Sequence, residues 1–463
     1  MFVEKHVEDA IARGTWIFLG SLAISLTGFV FWLIIARIAG AESVGIASAV
    51  VSSSMIAATL VAAGMNVAVV REVAARGVRA FTASLTLASI AGIVASALTI
   101  PFIHALGYQD LALIASLLAI SSTISIALLF SLIGFEKFRS YFLTVLTSSL
   151  AKLLIGVVLA ILGFKILTPL IGYLSYPIVA SIVALILLAS SISFRGYKPG
   201  REELKSLAVL TFSNYPYMFS NQLLTMLSVY IFAYLVREAV PTGTLYIALM
   251  ITLAITAIPN SILSAVLPIE TRRNTNPFTE SFRIGLALAT PVIVAVASAP
   301  TLILKTINPE LAQGASTLMI LLLLSIAPLA ALTTAITKSN KEGQVKNIVV
   351  IGVSRLILLI VLLPPLTGML GIQGAALAFL TTNILLIPLA LRIEPLITKP
   401  LLTLWSIQIT LTILLYTTLL NELIKAIGAL TLTPILMHTT NIFTISELHN
   451  TLKTIISTIS HKP

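Results

Sequence analysis

The sequence predicts an all-α polytopic membrane protein of about fourteen transmembrane helices, arranged as two pseudo-symmetric six-helix bundles plus two C-terminal helices. Three observations support this fold class. Of the 463 residues, 58% are hydrophobic and 10% are charged, and the mean hydropathy is +1.07, far from the balance of a soluble domain. Uncharged apolar runs of 18 or more residues recur along the chain. The chain also repeats itself after about 200 residues.

Each predicted span is long enough to cross about 30 Å of hydrocarbon as a helix. The spans cover residues 14–39, 43–70, 80–104, 111–134, 140–163, 166–193, 206–236, 243–268, 283–306, 312–337, 345–367, 370–391, 400–420 and 423–443. The fourteenth differs from the others because it contains Lys425, Pro434 and His438, and the sequence leaves open whether it crosses. Prolines inside several spans predict kinks, at Pro177, Pro216, Pro259, Pro291 and Pro328.

Lys and Arg are concentrated in every second loop, starting with the loop after the second span. Short cytoplasmic loops collect positive charge, so we expect a multi-pass protein of the cell membrane with both termini in the cytoplasm. The formal charge of +11 is explained by this topology, and no nucleic-acid partner is expected. The chain has no cysteine and its five histidines are scattered, so we predict no thiolate metal site, no other metal site and no cofactor.

The repeat defines the predicted domains. Residues 1–195 form an N-terminal six-helix bundle, 196–205 a basic cytoplasmic linker, 206–398 a C-terminal six-helix bundle, 399–443 two additional membrane helices, and 444–463 an amphipathic cytoplasmic tail. A shift of 203 places Lys152 on Arg355, and a shift of 200 places Arg37 on Arg237. In repeated transporter halves the binding site lies where the halves meet, so these paired residues become candidates.

Lys152 lies about eleven residues into its span, roughly 16 Å from Tyr141 and so near the bilayer midplane. A charge facing lipid there costs about 2.5 to 3.5 kcal/mol, so Lys152 should face protein or a water-filled cavity. Arg355 lies about ten residues into its own span. Either the two cations are held by neighbouring carbonyls or snorkel, or they make a cavity attractive to an anion.

None of the seventeen acidic residues lies in the middle of a span. A membrane-embedded carboxylate is the usual group for carrying a proton or Na⁺, or for attracting a cationic drug. A site whose deep ionisable groups are all basic suits a phosphate, diphosphate or carboxylate. Whether Na⁺ or H⁺ is coupled to transport is left open.

Two further groups of candidates have alternative interpretations. Arg37 and Arg237 end their spans, so they either anchor to lipid headgroups or guide an anionic headgroup. Polar residues at helical spacing on the first and seventh spans either form interhelical hydrogen bonds or line a cavity for a sugar-like group. These polar candidates are Ser21, Ser25, Asn214, Asn221 and Thr225.

The first two spans, which contain IIARIAG, resemble the opening of the polysaccharide-biosynthesis flippases of the multidrug/oligosaccharidyl-lipid/polysaccharide (MOP) exporter superfamily. The matching residues are Gly14, Ala36, Arg37, Gly40, Gly45, Gly64 and Arg71. The stretch LTGMLGIQGAALAF resembles the approach to the family's twelfth span, through Gly368, Gly371, Gly374, Ala375 and Ala376. Thr244 departs from the pattern, which has glycine at that place in the eighth span.

This resemblance covers nearly the whole chain. It implies a V-shaped pair of six-helix bundles around a central cavity, working by alternating access. It also implies a polyprenyl-diphosphate-linked oligosaccharide as substrate, moved from the inner to the outer leaflet, with a single copy of the chain sufficient for function. Lys152 and Arg355 would then meet the diphosphate.

Other functions stay open at this point. A cation-coupled multidrug exporter of the same fold is disfavoured by the absence of acidic residues from the middle of the spans. A peptidoglycan-precursor flippase differs mainly in headgroup. An integral-membrane glycan enzyme would need a general base or metal carboxylates near a sizeable aqueous loop, and no predicted loop exceeds about fifteen residues.

Overall fold

A computed structural model of the chain describes residues 2–190, 200–266 and 277–442. Within those ranges the side chains of residues 2–15, 18, 213, 216–222, 264–266 and 277 are not described. The regular elements in the described ranges are helices, with no strand among them, so the predicted all-α class is confirmed.

Eighteen α-helices follow one another along the described chain. They are α1 Phe2–Ile38, α2 Ala41–Ala62, α3 Met65–Arg76, α4 Val78–Leu106, α5 Ala112–Gly134, α6 Phe138–Ile161, α7 Leu167–Ala189, α8 Arg201–Val236, α9 Ala239–Val266, α10 Pro277–Ser298, α11 Pro300–Ile307, α12 Ser316–Leu324, α13 Ile326–Lys341, α14 Val345–Leu370, α15 Ile372–Leu385, α16 Ile387–Ile393, α17 Thr398–Thr417 and α18 Glu422–Thr439. Short 3₁₀ turns join some of them, at Gln109–Leu111, Pro309–Ala312 and Pro395–Ile397.

Twelve helical segments among the described residues are long and apolar enough to cross a membrane, so the chain is a multi-pass membrane protein. They correspond to predicted spans one to six and eight to thirteen. The seventh predicted span is α8, whose apolar part is Leu223–Val236, and the fourteenth is α18. The predicted count of fourteen is therefore approximate.

Several predicted spans are each built from two helices. The second span breaks between α2 and α3, where Gly64 adopts a φ of 86°, a left-handed conformation that favours glycine. A side chain at Gly64 would also collide with the backbone of α8, because a Cβ there would lie 2.5 Å from the Thr211 carbonyl oxygen. The tenth span breaks at Ser325, three residues before Pro328, whose missing N–H cannot bond to the Leu324 carbonyl.

The chain divides into two compact units. Unit 1 comprises residues 1–247 and 352–375. Within it, α4 packs on α5 and α6 packs on both α1 and α7. Unit 2 comprises residues 248–351 and 376–463. The bundle boundaries expected from the repeat stay a prediction.

Within unit 2, the two C-terminal helices pack closely against α10. In α17, the Trp405 indole donates a hydrogen bond of 2.9 Å to the Leu324 carbonyl that Pro328 leaves without a partner. The Gln408 amide donates to the Thr290 hydroxyl of α10 at 2.9 Å. These bonds fix α17 at two depths of unit 2.

Helix α18 is held at both ends. Glu422 accepts a hydrogen bond from the Leu302 amide of α11 at its start, and Arg283 of α10 donates to the Ile442 carbonyl just after its end, at 2.6 Å. With 18 residues, α18 is about 27 Å long, comparable with the hydrocarbon thickness. The predicted tail 444–463 lies outside the described residues, as do residues 196–199 of the predicted linker. The last five residues of that linker, 201–205, are the first residues of α8.

Candidate functional site

The candidate site is centred on Lys152, which lies on the side of α6 that packs against α1 and α7. Its side chain is buried, and the residue is 4% exposed. Small residues make room for this packing. The Phe31 ring of α1 packs directly against Gly156 of α6 and Gly172 of α7. A Cβ at Gly156 would lie 2.5 Å from the ring and a Cβ at Gly172 would lie 2.8 Å from it, so only glycine fits at these positions. Lys152 is therefore not presented to lipid.

Three aromatic rings surround the Lys152 ammonium. The distances from Nζ to the ring centroids are 5.5 Å for Phe31, 5.6 Å for Tyr173 and 5.6 Å for Tyr176. Each distance is within the range of a cation–π interaction, which strengthens when the cation is desolvated. We call Phe31, Tyr173 and Tyr176 the Lys152 cage. Among the described residues, the ion pairs join other side chains, and no carboxylate pairs with Lys152.

The cage continues into a larger aromatic cluster within unit 1. The distances from the Trp32 ring centroid to the other ring centroids are 5.3 Å for Phe31, 5.9 Å for Tyr173 and 4.7 Å for Tyr246 of α9. Trp32 and Tyr246 are almost fully buried. The pairs with Phe31 and Tyr246 are edge-to-face and the pair with Tyr173 is tilted, and such contacts favour fixed ring orientations. The walls of the cage are consequently held by α1, α7 and α9.

Sequence reasoning missed these rings. Tyr173 and Tyr176 stand three residues apart, so they share one face of α7, and this spacing is a signal that the sequence does contain. Phe31 gives no comparable local signal, since it approaches Lys152 only through the packing of α1 on α6.

Arg355, the predicted mate of Lys152, lies on α14 and is 5% exposed. It belongs to the part of α14 assigned to unit 1, as Lys152 does. Neither of the two predicted central cations faces lipid. Their proposed joint role in binding an anion stays a prediction.

The polar candidates of the first and seventh spans are distributed differently. Ser21 and Ser25 are exposed on α1, and the Ser21 hydroxyl donates to the Ile17 carbonyl at 3.1 Å. Asn214 donates to the Leu210 carbonyl of its own helix at 2.9 Å. Thr225 is half-buried on α8, and the side chain of Asn221 lies outside the described residues.

The two span-ending arginines are exposed. Arg37 ends α1. Arg237 follows α8 in a left-handed conformation with a φ of 57°, stacks over Tyr234 at 5.5 Å, and donates to the Ala105 carbonyl at the end of α4, at 3.4 Å. These contacts join Arg237 to α4 and α8.

Unit 2 contains a buried carboxylate that the sequence analysis did not single out. Glu394, at the end of α16, has a side chain that is 1% exposed. Its carboxylate lies 2.9 Å from Lys338 Nζ of α13 and accepts a hydrogen bond of 3.1 Å from Thr279 of α10. Lys338 also donates to the Ile393 carbonyl at 3.0 Å. Glu394 is at a span end, as predicted for every acid, yet it is buried because three helix ends meet around it.

Comparisons with known proteins agree with this architecture. The profile of the family described as "Polysaccharide biosynthesis protein" matches residues 11–272. A search of curated protein sequences gives no match.

Among solved structures, the chain is similar to "Lipid II flippase MurJ, inward closed conformation", with a TM-score of 0.72 at 14% identity, over 92% of this chain and 100% of that one. It is similar to an inward-facing multidrug resistance MATE family transporter of the MOP superfamily, with a TM-score of 0.54 at 15% identity, over 84% and 99% of the two chains. It also resembles a mutant of the Vibrio cholerae MATE transporter VcmN, with a TM-score of 0.52 at 14% identity, over 87% and 99%.

At these identities the structural likeness shows the fold, and each of these neighbours is described as a flippase or a transporter. The family match covers more than half of the chain. The chain belongs to the polysaccharide biosynthesis protein family and has the fold of the MOP superfamily.

Proposed function

We propose that this protein is a flippase that moves a polyprenyl-diphosphate-linked oligosaccharide from the inner to the outer leaflet of the cell membrane by alternating access, with both termini in the cytoplasm. The observation that carries the proposal is the Lys152 ammonium, buried among three rings with no carboxylate partner among the described residues. A full positive charge in an apolar setting attracts an anion of matching size.

The cage explains how the charge persists between transport cycles. Burying an unpaired ammonium is costly, and cation–π contacts offset part of that cost without neutralising the charge. A phosphate oxygen makes a charge-assisted hydrogen bond, which is stronger than a neutral one. When the headgroup binds, Lys152 therefore replaces weak cation–π contacts with a stronger charge-assisted hydrogen bond to a phosphate oxygen.

The anionic headgroup also provides a driving force. A diphosphate with about two negative charges gains roughly 4 to 5 kcal/mol on leaving an interior that is about 100 mV negative. Arg355 is the second residue that we assign to the diphosphate. Arg37 and Arg237 make a weaker contribution, in which they attract the headgroup at the span ends. The sugars contact the polar candidates of the first and seventh spans, Ser21, Ser25, Asn214, Asn221 and Thr225. The coupling ion, Na⁺ or H⁺, is not assigned, and one copy of the chain is sufficient.

A cation-coupled multidrug exporter is the second candidate, favoured by the similarity to MATE family transporters. Its substrates would be cationic, and a caged lysine repels a cation. The two functions therefore predict opposite effects of neutralising Lys152.

The test is flipping of a fluorescent polyprenyl-diphosphate oligosaccharide in proteoliposomes. Wild type is compared with Lys152→Gln, Arg355→Gln and the double variant at equal amounts of folded protein. The matched control is Lys425→Gln, since Lys425 is also a buried lysine but donates to the Tyr416 carbonyl at 2.9 Å.

We expect each site variant to lower flipping by at least about tenfold and the control to leave it unchanged. Normal flipping by the double variant refutes the anion site at these residues. Faster export of a fluorescent cationic drug by Lys152→Gln would instead support the exporter.

A further inference from the structure

Gly28 is the one residue of α1 whose missing side chain faces the Lys152 ammonium in the described structure. A Cβ built at Gly28 would lie 3.6 Å from Nζ, and outside the adjoining turns of α1 no other heavy atom comes within 4 Å of it. The three rings of the Lys152 cage lie 5.5 to 5.6 Å from the ammonium. At Gly28, by contrast, no side chain covers the ammonium.

Other glycines of the same helix packing have a different role. The Phe31 ring occupies the space beside Gly156 and Gly172. The Tyr141 ring occupies the space beside Gly20 of α1, where a Cβ would lie 2.9 Å from it. Those glycines let helices approach. Gly28 does not, because 3.6 Å is an ordinary contact distance and alanine would fit. Glycine within a helix is destabilising relative to alanine, so packing alone does not account for Gly28.

Exposure gives the direction of the opening. Gly28 is half-buried, although the neighbouring Lys152 is only 4% exposed. Ser25 and Ser21 lie about one and two turns earlier on the same face of α1, and both are exposed. Residues 21, 25 and 28 form a strip of small side chains that leads to the ammonium.

We propose that Gly28 is the opening through which a phosphate group of the substrate reaches Lys152, travelling along the strip of Ser21 and Ser25. The inference rests on the proposed function, since it assumes that Lys152 binds the anionic headgroup. It assigns to Gly28 a positioning role that depends on the size of the residue. Enlarging this residue blocks the approach of the anion while the charge and the cage stay intact.

The experiment uses a graded series, Gly28→Ala, Gly28→Val and Gly28→Leu, in the same proteoliposome assay. Gly428 provides the matched series, because it is also a helical glycine and its Cβ would lie 3.7 Å from a single side chain, that of Leu415. Ser25→Leu is a second variant on the strip, at an exposed position where a larger side chain is tolerated in the fold. Thermal unfolding in detergent checks that each variant is folded.

A second readout measures access without transport. Amidination of Lys152 by methyl acetimidate, a small amine reagent, is followed by mass spectrometry in detergent. We expect flipping and labelling to fall together with residue size, by about tenfold or more for Gly28→Leu, with a smaller loss for Gly28→Ala. Ser25→Leu should act in the same direction, and the Gly428 series should change neither.

The outcomes separate the two proposals. Loss of flipping in Lys152→Gln together with wild-type flipping and labelling in folded Gly28→Leu and Ser25→Leu overturns the role of Gly28 and leaves the anion site standing. Normal flipping in Lys152→Gln overturns the role of Lys152 in binding the anion, and with it the inference about Gly28. Absence of flipping by the wild-type protein overturns the proposed function itself.

Discussion

Two lysines of this protein, one in each compact unit, are held in opposite ways. In unit 2, Lys338 is paired with Glu394 at 2.9 Å, and Trp405 bonds to a carbonyl released by a proline. In unit 1, Lys152 has the rings of its cage and no carboxylate among the described residues. Lys338 shows how the chain neutralises a half-buried lysine when the residue serves the fold. The contrast indicates that Lys152 is retained for something else.

The difference is one of net charge. A lysine and a glutamate held together sum to zero, so an approaching anion meets little attraction there. Cation–π contacts lower the energy of the ammonium but leave its full charge in place. Only the second arrangement keeps a deep site ready for an anionic ligand. Substitutions around Lys338 in unit 2 and at Lys152 in unit 1 test this comparison.

The largest effect on stability should follow Glu394→Gln. The substitution removes the nearer counter-charge of the Lys338 ammonium and leaves only Glu342 among the described residues, at 3.9 Å. Breaking a buried pair costs about 3 to 5 kcal/mol. Because the Lys338 side chain is 20% exposed, water offsets part of this cost, and we expect a loss of about 2 to 3 kcal/mol in the free energy of unfolding. Denaturant titration in detergent micelles measures it.

The control is the double variant Lys338→Met with Glu394→Gln, which removes both charges and should recover most of the lost stability. Flipping per folded molecule should be unchanged in both variants. If Glu394→Gln unfolded at the same denaturant concentration as the wild type, the pair would not stabilise unit 2. The contrast between Lys338 and Lys152 would then fail.

A smaller effect is expected for Trp405→Phe, which removes the indole donor and keeps most of the ring. The Leu324 carbonyl then has no partner, because Pro328 supplies no N–H, and we expect a loss of about 1 kcal/mol in unfolding free energy. The same substitution in a Pro328→Ala background should cost clearly less, since the alanine N–H can bond to that carbonyl. Equal losses in both backgrounds would mean that the hydrogen bond contributes nothing.

The comparison also shows what the sequence could reveal. About twenty uncharged residues must form a spanning helix whatever surrounds them, so the fold class and most spans follow from hydropathy alone. Pro328 signalled a kink in the same local way. The break at Gly64 is harder to predict, because many glycines stand inside spans and only the close approach of α8 distinguishes this one.

The environment of the candidate site depends on packing and was only partly predictable. The depth of Lys152 is a matter of counting residues, and its burial follows from the cost of a charge in lipid. Two of its ring partners, Tyr173 and Tyr176, share one helix face by their spacing. Phe31 could not be found in this way, because it lies about 120 residues away and reaches Lys152 only where the glycines of α6 and α7 make room for its ring. The burial of Glu394 likewise depends on packing, because three helix ends enclose a residue that lies after a span in the sequence.

The smallest effect on stability is expected for Lys152→Met. Methionine has a similar length and fills the Lys152 cage without a charge, and sulfur–aromatic contacts replace the cation–π contacts. No described carboxylate loses a partner, so the change in unfolding free energy should stay within about 0.5 kcal/mol, whereas flipping should fall at least about tenfold. The measurement pairs denaturant titration with the proteoliposome assay on the same preparation. A loss of stability as large as that of Glu394→Gln would show that the caged ammonium stabilises unit 1. Lys152 would then resemble Lys338, a lysine kept for the fold, and the anion site would have to be sought elsewhere.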